Sequence, residues 1–394
     1  MHLEETAEQI ALREELRAYF RQLLTPAVRA GLAADPEGGP VFRRLVKQMG
    51  TDGWLGIGWP KEFGGQGRPE TDQFIFFVEV QRAAAPFPFV TLNTVGPTLM
   101  LYGSDEQKAE FLPGIVRGEV NFAIGYTEPD AGTDLASLKT KAVRDGDEYV
   151  VNGNKVFTSG ADQADYIWLA VRTDPDAPKH RGISILLVPT STAGFSCTPI
   201  MTVGGTKTTA SYYADVRVPV ANRVGEENAG WRMITTQLNH ERVGLAANAS
   251  LALRLWDDVA KWCATTEAAP GQMMIDVPWV QLDLARTKAK LEAMRLLNWR
   301  MAAAVADGTL SPGESSGVKV YGTETAVETY RVLAGIVGAA GTLRTGSAGA
   351  ALAGELEKAG RAGQINTFGG GVNEVQREIV ASVALQMARQ ARTA

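Results

Sequence analysis

The hydrophobic period of this chain changes twice, and that change limits its possible folds more than any single motif does. From Glu4 to Arg117 apolar residues recur at helical spacing, interrupted by loops such as the Gly/Pro-rich stretch Gly53–Pro69. Between about Asn121 and Val220 the spacing falls to two. Glu148–Val156, Tyr166–Arg172, Gly182–Pro189 and Ser211–Val218 are runs of β-branched or aromatic residues bounded by Gly, Asp and Pro. After Asn222 helical spacing returns in long segments, Leu238–Trp262, Trp279–Val305 and Ser316–Val337. The order predicts an α+β chain in three parts. These are a helical N-terminal domain over residues 1–120, a middle domain of short antiparallel strands curled into a small barrel or sandwich over 121–222, and a C-terminal four-helix bundle over 223–394.

Charge and rare residues remove several classes of function. With 39 basic and 44 acidic side chains in 394 residues, the net charge is -5, and no basic surplus exists to displace counterions from nucleic acid. Two cysteines, Cys197 and Cys263, and three histidines supply neither a disulfide framework nor a cluster of metal ligands, so no metal site is expected. A reducing, cytoplasmic setting fits that cysteine usage. The N-terminus lacks the basic and apolar regions of a secretory signal. No apolar run approaches the roughly 20 residues that span a bilayer, so no membrane association is expected. Nucleotide folds are not signalled either: no Gly-x-Gly-x-x-Gly follows a strand, and Gly204-Gly205-Thr206-Lys207-Thr208 is not a P-loop.

Three segments carry the chemistry: IGYTEPDAGTD at Ile124–Asp134, GNKVFTSG at Gly153–Gly160 and DVRVP at Asp215–Pro219. Together, in this order, they resemble the acyl-CoA dehydrogenase family, flavoenzymes that desaturate the α,β bond of an acyl thioester. The α, β, α layout matches that family over nearly the whole chain. The resemblance implies FAD as cofactor, with contacts from Ile124, Tyr126, Thr127, Gly132 and Thr133 in the first segment and from Phe157, Thr158 and Ser159 in the second. Phe157 stands where the family usually has Trp, so an aromatic face is kept and an indole donor is lost. Read alone, Glu128–Gly132 is an ordinary turn.

Two departures from the family pattern shape the functional expectation. The catalytic glutamate that usually lies in a loop before the last helix is replaced: the loop here reads FGGGVNEVQR over Phe368–Arg377, which puts Gly370 at that position. Gly370 offers only a backbone N–H, a donor to the thioester oxygen that would stabilise enolate charge. The resemblance implies an alternative base on the helix after the β-domain, Glu241 in LNHERVGLA, whose helical neighbours Gln237, Leu238, Gly244, Leu245 and Asn248 are mostly small or apolar. Substrate contacts are implied for Thr133, Arg242, Gly369 and Gly371. His240 reads as a packing residue.

The second departure lies at the far end of the flavin. Homomeric members of the family reach a neighbour's FAD through Arg-x-x-Phe-Gly and Gln-x-x-Gly-Gly-x-Gly segments. Here the corresponding stretches are Cys263–Trp279, without that arginine, and Gly335–Gly341, with glycine in place of the glutamine; Val372 and Glu374 replace a usual Thr and Gln. Neither Ala, Gly nor Pro replaces a bidentate arginine at a pyrophosphate. The combination resembles subunits of the heteromeric (α2β2) acyl-CoA dehydrogenases of actinobacterial steroid side-chain degradation. That implies a second acyl-CoA dehydrogenase-like chain supplying FAD contacts, a bulky acyl-CoA thioester as substrate, and an acceptor such as an electron-transferring flavoprotein. The expected reaction is α-proton abstraction by Glu241 with hydride transfer to flavin N5. Two alternatives stay open at this point: a catalytically silent partner subunit, and an acyl-CoA oxidase or flavin monooxygenase of the same fold.

Overall fold

The computed structural model describes residues 5–34, 38–237 and 249–388. Its N-terminal part is built from α1 (Ala7–Leu23), α2 (Pro26–Ala34), α3 (Pro40–Thr51), α4 (Glu70–Ala83), α5 (Gly96–Tyr102) and α6 (Asp105–Val116). Capping boxes start α1 and α6, where Thr6 and Ser104 exchange hydrogen bonds with Gln9 and Gln107. Leu12, Leu16 and Phe20 recur every four residues on α1 and are buried together with α4, as the helical spacing requires.

The middle part is one eight-stranded sheet in the order β6-β7-β3-β2-β4-β5-β8, with β1 added beside β4. The strands are β1 (Phe122–Gly125), β2 (Lys141–Asp145), β3 (Glu148–Lys155), β4 (Tyr166–Arg172), β5 (Ile183–Pro189), β6 (Phe195–Met201), β7 (Lys207–Pro219) and β8 (Arg223–Val224). Pairing is antiparallel except where β1 and β2 meet β4. Tyr149 and Val151 of β3, Ile167 and Leu169 of β4, and Val216 and Val218 of β7 share one core, so the sheet closes over its own interior. The opposite face of β4 and β5, with Trp168, Ala170, Ile185 and Leu187, packs into the helical core of the N-terminal part. Burial on both faces explains why these two strands are nearly continuous apolar runs.

A helix over 230–237 (α7) follows. Beyond the undescribed 238–248 come α8 (Ala249–Thr265), a hairpin of β9 (Glu267–Ala269) and β10 (Gln272–Met273), α9 (Pro278–Ala306), α10 (Pro312–Val337), α11 (Glu355–Ala362) and α12 (Asn373–Ile379). Helices α8, α9 and α10 bury Leu255, Val259, Leu291, Met294, Tyr330 and Leu333 against one another. The Phe74–Trp299 ring contact at 5.4 Å and the Arg82–Asp257 ion pair at 3.0 Å join this bundle to α4. Among the described residues no helix is long and apolar enough to cross a membrane.

Candidate functional site

The first two sequence motifs meet at the end of β1. Gly125 leaves room for close packing there, since a Cβ would lie 2.8 Å from Leu169 Cδ1. Beyond it the Tyr126 hydroxyl receives Trp168 Nε1 at 2.9 Å and donates to Gln237 Oε1 on α7. The carbonyl of Thr127 accepts the Val156 amide at 2.8 Å, which fastens the turn to the end of β3. Ile124 pairs with Trp168 in the parallel register of β1 and β4.

Beneath this junction lies a charge pair that the motifs alone do not reveal. Lys155 is 0% exposed and Glu128 6%. The Lys155 ammonium donates to Glu128 Oε1 at 2.9 Å and to the Tyr126 carbonyl at 3.0 Å. Glu128 also accepts the amides of Lys139 at 2.6 Å and Thr140 at 2.8 Å, closing the neck of the loop it begins. Burial pushes the Lys155 pKa down to about 8 against the upward pull of Glu128. Burial also works against the Glu128 carboxylate, but Lys155 and the Thr140 bonds outweigh it and hold the pKa below the ordinary value. Arg172 fixes the rest of the loop by donating to the carbonyls of Ala136 at 2.6 Å and Arg181 at 2.7 Å.

The rim above the pair is open. Phe157 has φ +61° and is 61% exposed, so the backbone takes a left-handed conformation that turns an aromatic ring outward. Ser159 beside it is exposed, its hydroxyl 2.8 Å from Thr208 Oγ1. Thr158 points into the sheet, 0% exposed and 3.1 Å from Ser211 Oγ, and sets the spacing of its two neighbours. Gly132 and Thr133 are exposed at the loop tip. A Cβ at Gly132 would meet nothing closer than Thr127 Cγ2 at 3.8 Å, so the fold itself does not demand glycine there.

The glycine loop is held from a different side. Buried Lys319 of α10 donates to the Gly371 carbonyl at 2.8 Å and to Asn373 Oδ1 at 2.7 Å. Gly370 and Gly371 have φ of +65° and +97°, and a Cβ on Gly371 would lie 2.5 Å from Gln376 Nε2. The positive φ favours glycine at both positions, and the close approach of Gln376 adds a steric reason at Gly371. Gly369 has ordinary φ, and its amide donates to the Ile365 carbonyl at 2.7 Å. Glu241 and Arg242, with His240 and Gly244, lie outside the described residues.

Family models for the N-terminal, middle and C-terminal domains of acyl-CoA dehydrogenase match residues 6–119, 123–216 and 228–385. The chain belongs to the acyl-CoA dehydrogenase family. It is 54% identical over 400 residues to acyl-CoA dehydrogenase FadE26 of Mycobacterium tuberculosis, covering 99% of each protein. Among solved structures it resembles a chain of the Tcur3481-Tcur3483 steroid ACAD, with a TM-score of 0.94 and 58% identity over 99% of this chain and 100% of that one. It also resembles a chain of the ChsE4-ChsE5 complex of Mycobacterium tuberculosis, with a TM-score of 0.94 and 54% identity over the same shares.

Acyl-CoA dehydrogenases generally use FAD, and the residues here fit one half of it. An outward aromatic ring at Phe157, exposed hydroxyls at Ser159 and Thr133, and a glycine at 132 with open space at its Cβ suit a flat, polar-edged ring system. The two segments that the family resemblance assigns to the adenosine end are different. The segment 263–279 forms a hairpin with no arginine or lysine, and Gly335–Gly341 runs from the end of α10 into a short 3-10 turn. These stretches carry no cation for a pyrophosphate.

Motif reading did not single out Glu128, Lys155 and Arg172, which fasten this junction; Gln237 was read only as a neighbour of Glu241. Lys155 had a signal: it continues the inward phase of Tyr149 and Val151 along β3.

Proposed function

We propose that this chain is one subunit of a two-chain, FAD-dependent acyl-CoA dehydrogenase acting on a bulky acyl-CoA thioester, a steroid side-chain thioester in particular. The observation that carries the reading is the half-site. The flavin-facing segments are complete and clamped by Lys155 and Glu128, whereas the two segments expected at the adenosine end lack a cation. The relatives named as two-chain steroid enzymes support a second dehydrogenase-like chain that completes the site.

In this reading Ile124, Tyr126, Thr127, Gly132, Thr133, Phe157, Thr158 and Ser159 hold the flavin end, and Thr133, Arg242, Gly369 and Gly371 contact substrate. The Glu241 carboxylate takes the α-proton, and the Gly370 amide donates to the thioester oxygen as negative charge develops there. FAD, when bound, supplies the two-electron acceptor that removal of the β-hydrogen needs. An electron-transferring flavoprotein is the proposed next acceptor, and a cytoplasmic setting is proposed from two cysteines that form no disulfide.

Co-expression with a candidate partner tests the assembly: about one FAD per heterodimer is expected, against poor retention by this chain alone. Full flavin occupancy in the isolated chain would overturn the shared site. In the loaded complex, Glu241→Gln is expected to slow flavin reduction by substrate on the order of 10²-fold or more. A near-normal rate would remove Glu241 from the chemistry and favour a silent role for this subunit.

A further inference from the structure

Within the glycine loop one backbone donor is framed by two anchored groups. The Gly369 amide donates to the Ile365 carbonyl at 2.7 Å, and the Gly371 carbonyl accepts the Lys319 ammonium at 2.8 Å. Between these anchors the Gly370 N–H meets no acceptor among the described residues. Backbone donors are nearly always paired, so one left open between held neighbours is ready for water or a ligand.

Glycine does not hold such a donor by itself. Gly370 and Gly371 have φ of +65° and +97°, and without a Cβ their backbone has several conformations within easy reach. The direction of the Gly370 N–H therefore depends on what grips the turn. Gln376 Nε2 lies 2.5 Å from where a Gly371 Cβ would stand, and Lys319 holds the carbonyl of the same residue.

A lysine is a costly grip. Lys319 is 5% exposed, and removing an ammonium from water is unfavourable unless polar partners replace the hydration. It also donates to Oδ1 of Asn373, the first residue of α12, at 2.7 Å. From there the seam between α10 and α12 runs outward. Asn373 Nδ2 donates to Thr323 Oγ1 and Glu324 Oε1, each at 3.1 Å, and exposed Arg377 reaches the Glu324 oxygens at 2.6 and 2.8 Å. These outer bonds already join the two helices. What the buried ammonium adds is a charge-assisted bond to the turn itself.

We infer that Lys319 is a positioning residue for the desaturation: its ammonium fixes the Gly371 carbonyl and so keeps the Gly370 amide aimed at the thioester oxygen. The inference rests on the proposed role of Gly370 and adds the residue that holds it in place. A donor set beforehand needs no reorganisation as enolate charge develops. Loosening it therefore weakens transition-state stabilisation more than substrate binding.

The test uses the co-expressed, FAD-loaded complex with Lys319→Met, Lys319→Gln or Glu324→Gln. The last loosens the same helix pair at its outer end without touching the turn. The readouts are the limiting rate of flavin reduction by a steroid side-chain CoA thioester, its dissociation constant, and the infrared carbonyl stretch of the bound α,β-unsaturated product thioester, isotope-labelled at that carbonyl. Lys319→Met is expected to slow reduction by about tenfold or more, to leave the dissociation constant within about threefold, and to return the carbonyl stretch toward its value in water. Lys319→Gln, which keeps a donor without the charge, should fall between this and wild type. Glu324→Gln should lower the melting temperature while leaving rate and stretch near those of wild type. An unchanged rate and stretch in Lys319→Met overturns the inference, as does a Glu324→Gln variant that matches it at equal loss of melting temperature. Failure of both Lys319 variants to assemble with FAD also overturns it, since the lysine then serves the fold. A wild-type complex that reduces its flavin without displacing the carbonyl stretch removes Gly370 as the donor, and the inference with it. No flavin reduction by any acyl-CoA removes the desaturase reading itself.

Discussion

The Lys155 ammonium lies 2.9 Å from the Glu128 carboxylate with both side chains buried, and this pair joins the two segments that face the proposed flavin site. Removing one partner leaves the other charged and dry. Glu128→Gln is therefore expected to destabilise the protein by about 3–5 kcal/mol, and Glu128→Gln with Lys155→Met to recover most of that loss. Denaturant unfolding of the two variants against wild type checks this. A double variant no better than the single one would mean that the pair contributes through its backbone bonds alone.

The same lysine gives a pH signature. Its native pKa of about 8 lies below the ordinary 10.5, so between those values the unfolded chain binds a proton that the native chain has released. Stability contributed through Lys155 therefore rises with pH from about 8 to 10.5, by on the order of 3 kcal/mol, and below pH 8 the full penalty of the buried charge is present. Subtracting the melting profile of Lys155→Met from that of wild type isolates the effect. A flat difference over this window would refute it.

Phe157 separates folding from cofactor retention. Its ring is 61% exposed and its φ is +61°, so Phe157→Gly relieves the backbone while removing little buried surface. Stability should stay within about 1 kcal/mol of wild type or improve. FAD dissociation from the assembled complex should quicken severalfold, as measured by the fluorescence of released flavin.

Legibility in the sequence followed burial. Glu148–Val156, Tyr166–Arg172 and Gly182–Pro189 were readable because alternation or continuous apolar character follows from what each strand face touches. β1 is four residues long, too short for a period. β6 is an edge strand containing Pro199 with mostly exposed side chains, so little hydrophobic pattern marks it. The motifs proposed to face the flavin are legible as residue types in order. The Glu128 pairing was not, because Glu128 and Lys155 are 27 positions apart and only the crossing of the turn over β3 brings them together. For Gly370 and Gly371 the sequence does not show the turn itself; the positive φ values supply a backbone reason for glycine there.

That turn gives a further prediction. Gly371→Ala places a methyl 2.5 Å from Gln376 Nε2 at φ +97°, and should destabilise by more than about 1 kcal/mol, whereas an unstrained glycine-to-alanine replacement stabilises by up to about that much. Gly369→Ala, at ordinary φ with its nearest neighbour, the Ile365 carbonyl, at 3.2 Å, should be milder. Thermal melts of the two variants decide the ranking.

The bonds from Glu128 to the amides of Lys139 and Thr140 act as a drawstring at the base of a loop whose outer part, Pro129–Asp134, is mostly exposed. Tension at the base is independent of how much chain lies above it, and closing a longer loop grows costlier by only about 0.6 kcal/mol per doubling. Residues can therefore be inserted or deleted at the tip while the strands below keep their register. Such a chain can acquire a new ligand contour at Gly132 and Thr133 by changing length there, without rebuilding the sheet.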